Sequence, residues 1–230
     1  MRAKKTALIE SIKSDEAREL LANGADAVID ALSDSDIASS IPFVGTVLKA
    51  YQAAQGIRER MLVKKLAKFL EHPSQMSEEE KQRFASEFEN TSKEEEFGEQ
   101  MLMLIEQSED LVKPRIIGRL LVAHVKGHFD LTTFMRLCKM VDRAFTEDFQ
   151  YLKMLRIGDN HRPNEDVEQS LNSSGFLRPA NNNEGAILSG VPITYETYRL
   201  TQYGKWLVDL GLSEGSVPIP TPDTPNTLFS

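Results

Sequence analysis

Two stretches decide the fold: LNSSGFLRP (Leu171–Pro179) and TYRLTQYGKWLVDLGL (Thr197–Leu212). In the first, Asn164 caps a helix through Leu171, Gly175 ends it, and Phe176-Leu-Arg178 continues as a short strand. In the second, the alternating run Ile193–Leu200 reads as a strand. Thr201 then caps a helix that carries Tyr203, Trp206, Leu207 and Leu210. Between the two lies the polar tip Asn181–Gly185. The order is helix, strand, polar excursion, strand, helix.

Working outward, the rest of the chain reads as helices. Leu21, Ala25, Val28 and Leu32 repeat at three and four within Glu16–Leu32. Pro42 opens a long apolar stripe that passes Leu48, Tyr51, Leu66 and Leu70 and ends at His72-Pro73. Ser77 and Glu80 form a capping box, and a further start falls at Thr91 or Ser92. Lys113-Pro114 interrupts the pattern. Ile116, Ile117, Leu120, Leu121 and Val125 then mark an amphipathic helix closed by Gly127. Asp130 caps the next, with Phe134, Leu137, Cys138, Val141 and Phe145 on its buried face. A short helix covers Glu147–Leu155. The expected fold class is mainly α. An N-terminal bundle of about five to six helices spans residues 1–145. A small α+β module with a two-stranded wing covers 146–212, and a Pro/Thr-rich flexible tail covers 213–230.

The chain has 230 residues, 40% hydrophobic and 27% charged, which suits a folded domain and excludes wholesale disorder. Its net charge of −8 opposes a grip on nucleic acid by bulk charge. The single cysteine, Cys138, excludes an intrachain disulfide and a thiolate-rich metal site. The basic start Met1-Arg-Ala-Lys-Lys5 resembles a signal n-region, but Glu10 and Lys13 fall before an apolar stretch can develop. The most apolar stretch, Ile37–Ile57, carries Pro42, Lys49, Gln52 and Gln55 and falls short of a membrane span. A cytoplasmic location is expected.

The second deciding stretch couples a strand to a capped helix through Y-x-L-T-x-x-G-x-x-L, and with the first it resembles a winged-helix module over Thr146–Leu212. The resemblance implies DNA binding through the third helix and the wing. The corresponding helix, Asn164–Ser173, holds Glu165, Asp166 and Glu168 and no Lys or Arg, whereas base reading favours Arg, Lys, Asn or Gln. The wing, Pro179–Pro192, has no basic residue. The stretch SIPFVGTVLKAYQAAQGIRERMLVKKLAKFL (residues 40–70) loosely resembles helical segments of uncharacterised bacterial proteins, some in abortive-infection-type defence neighbourhoods. It implies no catalytic residue.

Motifs for nucleotide loops, zinc hydrolysis and serine nucleophiles are absent from the sequence. His124 and His128 lie four apart, but Gly127 between them spoils a shared helix face, so helix-end histidines are expected rather than a metal pair. Glu78–Glu80 and Glu94–Glu96 read as solvated acidic faces at helix starts. Residues 41–70 hold six basic residues against Glu59 alone, a net +5, whereas 71–110 hold 13 acidic and 3 basic residues, a net −10. These two elements are expected to be neighbours.

The candidate interaction residues are Arg58, Arg60, Lys64, Lys65 and Lys68 on the basic helix. Arg178, Tyr198, Arg199, Tyr203 and Lys205 join them from the C-terminal module. Three functions are expected, in this order. The first is a non-catalytic interaction or regulatory protein, bound to a protein partner or to itself. The second is a DNA-binding regulator whose phosphate contacts come from Arg178, Arg199 and Lys205. The third is a membrane-acting defence-type effector that uses residues 41–70. No cofactor, metal or small-molecule substrate is expected, and no enzyme.

Overall fold

The computed structural model describes residues 57–88, 91–158, 165–180 and 198–215. The expected helix at 16–32, residues 41–56 of the basic stripe, the wing tip and the tail from 216 lie outside the described residues. The described residues form eight α-helices and a two-stranded antiparallel sheet, so the protein is mainly helical. The helices are α1 (Ile57–Leu70), α2 (Glu78–Ser86), α3 (Thr91–Gln107), α4 (Val112–Val125), α5 (Leu131–Arg143), α6 (Phe149–Arg156), α7 (Glu165–Ser173) and α8 (Gln202–Trp206). The strands are β1 (Leu177–Pro179) and β2 (Tyr198–Leu200), paired Leu177 with Leu200, Arg178 with Arg199 and Pro179 with Tyr198.

Helix α4 is the axis of the fold. Its apolar spacing predicts one buried stripe, yet every residue from Ile116 to Val125 is buried. The reason is packing on several sides: α1, α5 and the segment after α8 all lie against it. A helix enclosed in this way must satisfy its polar side chains internally. Pro114 does not break this helix. It sits in the first turn, where its missing N–H costs nothing. Asp110 accepts hydrogen bonds from the amides of Val112 (2.8 Å) and Lys113 (2.9 Å), closing that turn. Gly118 lets α1 approach: a Cβ there would stand 2.1 Å from the Phe69 carbonyl oxygen.

Local signals placed the other ends. The capping box at Ser77 and Glu80 forms, with the Ser77 amide donating to Glu80 Oε2 at 2.8 Å. Asp130 accepts from the Thr133 amide at 2.7 Å. Phe134, Leu137, Cys138 and Val141 are buried on α5 as their spacing predicts, but Phe145 is 62% exposed because α5 ends at Arg143 and the chain turns out of the helical period. Phe84, Phe88, Phe97 and Phe134 form a ring cluster with centroids 5.2–6.2 Å apart, joining α2, α3 and α5.

The two deciding stretches meet. Gly175 takes a φ of +86°, a conformation that favours glycine, and ends the α7 turn ahead of β1. The Thr201 hydroxyl donates to Gly175 O (2.8 Å) and accepts from the Gly204 amide (3.1 Å). A Cβ on Gly204 would stand 2.3 Å from Phe176 O, so this glycine permits close approach of α8 to the α7–β1 turn. Beyond α8 the expected helix changes form. Leu207–Gly211 is a π segment, in which the Leu212 amide reaches back five residues to Leu207 O at 2.9 Å. Its wider turn lays Leu207, Leu210 and Gly211 on α4, where Gly211 faces Ile116.

Candidate interaction surface

Three charged or polar side chains on α4 are buried: Lys113, Arg119 and His124. Each has a specific anchor. Lys113 Nζ donates to Asp142 O at 2.8 Å, at the C-terminal end of α5, where a cation is favoured. Arg119 donates from Nε to Leu210 O (3.2 Å) and from Nη2 to Ser213 Oγ (3.0 Å) and Gly215 O (2.6 Å). Burial, with Arg115 nearby, presses the Arg119 pKa below its ordinary value. His124 lies in the last turn of α4, the helix end expected for it, and is buried there, with Nδ1 2.9 Å from Phe129 O and Nε2 2.7 Å from Glu87 Oε2. It bridges α4 to the end of α2. Among the described residues no group of three His, Cys, Asp or Glu is placed to hold a metal ion. Cys138 is buried, and that burial raises its thiol pKa well above the ordinary range.

The basic helix and the acidic segment are neighbours, as their opposite charge predicts. The packing of α1 on α3 puts Lys65 Nζ 2.8 Å from the Glu106 carbonyl, and Lys68 pairs with Glu71 at 3.8 Å. Arg58 and Lys64 are exposed on the same helix, and Arg60 lies on it with a side chain outside the described set. The apolar face of α1, with Leu66, Phe69 and Leu70, belongs to the core.

In the C-terminal part, Arg178 and Arg199 are brought together. They are register partners on the strand pair, both exposed, and neither forms an ion pair among the described residues. Tyr198, opposite Pro179, is half-buried, and Lys205 is exposed on α8. Tyr203 and Trp206 are partly buried rather than presented. The Trp206 ring lies 5.2 Å from Phe129 and 5.8 Å from Tyr203, and the Tyr203 hydroxyl accepts from Arg136 Nη1 at 3.2 Å. On α7, Glu165 and Asp166 are exposed, whereas Glu168 is buried and accepts from the Tyr151 hydroxyl at 2.7 Å. Its carboxylate therefore ties α7 to α6 instead of facing outward.

One surface escaped the sequence reading. The outer face of α5 carries Arg136, Lys139 and Arg143, three and four residues apart, beside Met135. Two adjoining depressions, about 470 and 310 Å³, flank this row and share Met135, Lys139 and Arg143. The second is closed on its far side by α3, through Gln100, Met103 and Gln107. The signal that could have found it was the helical spacing of the cations. The apolar stripe of α5 marks only the opposite face.

His72, after α1, yields a pH prediction. Burial, chiefly, and the neighbouring Arg119 and Arg115 lower its pKa to about 4, against the opposing pull of Glu71. The unfolded chain therefore takes up this proton first as the pH falls. The associated stability is whole above pH 6.5 and is lost progressively towards pH 4. The ring is only partly buried, and solvent screening reduces the effect to about 1 kcal/mol between pH 7 and 5. Urea unfolding of the wild type and His72→Gln at both pH values checks this. The variant's loss on acidification is expected to be smaller by that amount.

No family model matches the chain, and neither a curated protein nor a solved structure matches it. What the fold defines is its class: a mainly helical protein with a small two-stranded antiparallel sheet. Among the described residues no helix is long and apolar enough to cross a membrane.

Proposed function

We propose that this is a non-catalytic interaction protein of the bacterial cytoplasm, in which a helical body and a winged-helix-like module act through protein–protein contacts. The observation that carries this reading is the α3–α5 surface. Met103, 53% exposed, and the half-buried Met135 lie beside exposed cations that have no ion-pair partner among the described residues, Lys139 and Arg143. Methionine and arginine are enriched at protein-binding surfaces, where a polar rim surrounds adaptable apolar side chains. The base-reading helix of the winged-helix pattern, here α7, exposes Glu165 and Asp166 and supplies no cation.

Affinity capture of the tagged full chain from lysate treated with nuclease tests the reading. A stoichiometric protein partner that survives nuclease is expected, and its absence would remove the assignment. A DNA-binding reading draws on a different observation, the exposed Arg178–Arg199 pair. Like charges held opposite each other are unfavourable unless something anionic lies across them. It predicts duplex binding that falls steeply with salt. Duplex binding absent at low salt disposes of it. The membrane reading rests on residues 41–70, of which only α1 is described, and the apolar face of α1 is committed to the core.

A further inference from the structure

The trough between α3 and α5 has a definite chemistry. Its apolar lining is Met103 and Leu104 from α3 and Met135 from α5. Its α5 side carries Lys139 and Arg143 against Asp142, and Arg136 lines the adjoining depression. Its α3 rim is neutral. Although α3 belongs to the most acidic stretch of the chain, the residues it turns to the trough include Gln100 and Gln107 and no carboxylate. Glu96, one turn before Gln100, accepts a hydrogen bond from its side-chain amide at 3.2 Å and lies just beyond the trough. Lys139 and Arg143, both exposed at the trough, favour an anionic occupant over a cationic or purely apolar one.

Size narrows the occupant further. Helix α5 runs 13 residues, about 18 Å along its axis, which matches roughly three turns of a docked helix. Methionine side chains adapt to varied apolar partners without rigid complementarity. Of the three cations, only Arg136 is engaged, through the Tyr203 hydroxyl and ring, with its guanidinium carbon 5.9 Å from the ring centroid. Lys139 and Arg143 have no ion pair among the described residues and remain free to meet carboxylates.

From this complementarity we infer that the α3–α5 trough binds an acidic amphipathic helix of a partner protein. The apolar stripe of that helix lies on Met103 and Met135, and its carboxylates meet Lys139 and Arg143. The mode is a helix laid in a groove, with charge setting orientation and partner choice. The inference rests on the interaction reading above and names the chemistry of the partner.

The test uses the full chain and fluorescent synthetic 18-residue peptides. One carries a leucine stripe at helical spacing flanked by glutamates. A second has lysine for every glutamate, and a third has the acidic composition with the leucines scrambled off one face. Micromolar binding of the first alone is expected. The double variant Lys139→Glu/Arg143→Glu should weaken it at least tenfold and admit the lysine peptide. Met135→Ser should weaken it several-fold. These side chains are exposed or half-exposed, so folding should persist, and a circular-dichroism melt checks that. If the double reversal does unfold, Lys139→Gln/Arg143→Gln serves instead, with a smaller loss expected.

Equal binding of all three peptides, or none, overturns the proposal, as does binding indifferent to the α5 variants. Displacement of the peptide by a 20-base-pair duplex or by anionic vesicles, abolished by the same charge reversal, assigns the surface to a polyanion and also overturns it. So does a wild-type dimer in sedimentation equilibrium that the reversal dissociates, since the occupant is then a second copy. Capture from lysate separates the two levels of failure. A partner retained by Lys139→Glu/Arg143→Glu leaves the interaction reading standing and removes this one, whereas no partner for the wild type removes the interaction reading.

Discussion

Gly118→Ala is expected to destabilise the protein by about 3 kcal/mol or more, the upper range for overpacking a core. The added Cβ would stand 2.1 Å from the Phe69 carbonyl oxygen and 3.3 Å from Pro73 Cδ. The first of these contacts is with backbone, which cannot swing aside as a flexible side chain could. Relief requires α1 to move away from α4, and Phe69, Leu70 and Ile117, all buried at this crossing, would lose contact with it. Denaturant unfolding measures the loss directly. A change below about 1 kcal/mol would mean that α1 and α4 do not cross this closely. Gly127→Ala gives a comparison of a different kind. No atom lies within 4 Å of a Cβ there, so any cost comes from its φ of +87° alone.

Arg119→Met is expected to cost about 3 kcal/mol and to loosen the C-terminal segment before the rest of the fold. The guanidinium holds Leu210 O, Ser213 Oγ and Gly215 O together, on residues more than ninety positions away in sequence. Methionine fills much of the same volume but donates to none of them, leaving the buried Leu210 carbonyl without its side-chain donor. Arg119→Lys should rescue little, because one ammonium cannot reproduce a planar fork reaching three acceptors. Hydrogen exchange gives the decisive readout. The Leu212 amide, which closes the π turn on Leu207 O, should lose protection well before those of α5. Uniform loss across both would show that Arg119 supports general stability instead of this attachment. The exposed Arg156–Asp209 clamp, at 2.9 and 3.0 Å, holds the same segment from the other side, and solvent limits its contribution.

The helical character of this protein was legible along the chain because helices are largely local objects. The capping box at Ser77, the cap at Asp130, the glycine ends at Gly127 and Gly175 and the Thr201 cap are each determined within a few residues, and each stands where the residues place it. The pairing of the two short strands was readable in outline, since Gly175 and Thr201 bracket a chain reversal. Opposite net charge also foretold that α1 and α3 would be neighbours, and Lys65 reaches the Glu106 carbonyl.

The surface was less legible for a specific reason. Periodicity reports which face of a helix is buried, and attention to that face leaves the other unread. The cations of α5 are spaced as regularly as its core residues, yet they define a binding surface only once Met103 of another helix closes the trough. The Arg178–Arg199 pair likewise depends on register, which no single strand reveals.

By itself, then, the sequence determined the mainly helical character, the caps at Ser77, Asp130 and Thr201 and the acidic balance, all of which arise from backbone geometry and side-chain chemistry over a few residues. Only the tertiary structure decided that α4 is enclosed on every side from Ile116 to Val125. One apolar stripe cannot announce that partners from residues 57–70, 131–143 and 207–211 will converge on the same helix. That convergence makes Lys113, Arg119 and His124 buried anchors, because a polar group withdrawn from water must find its partners within the protein.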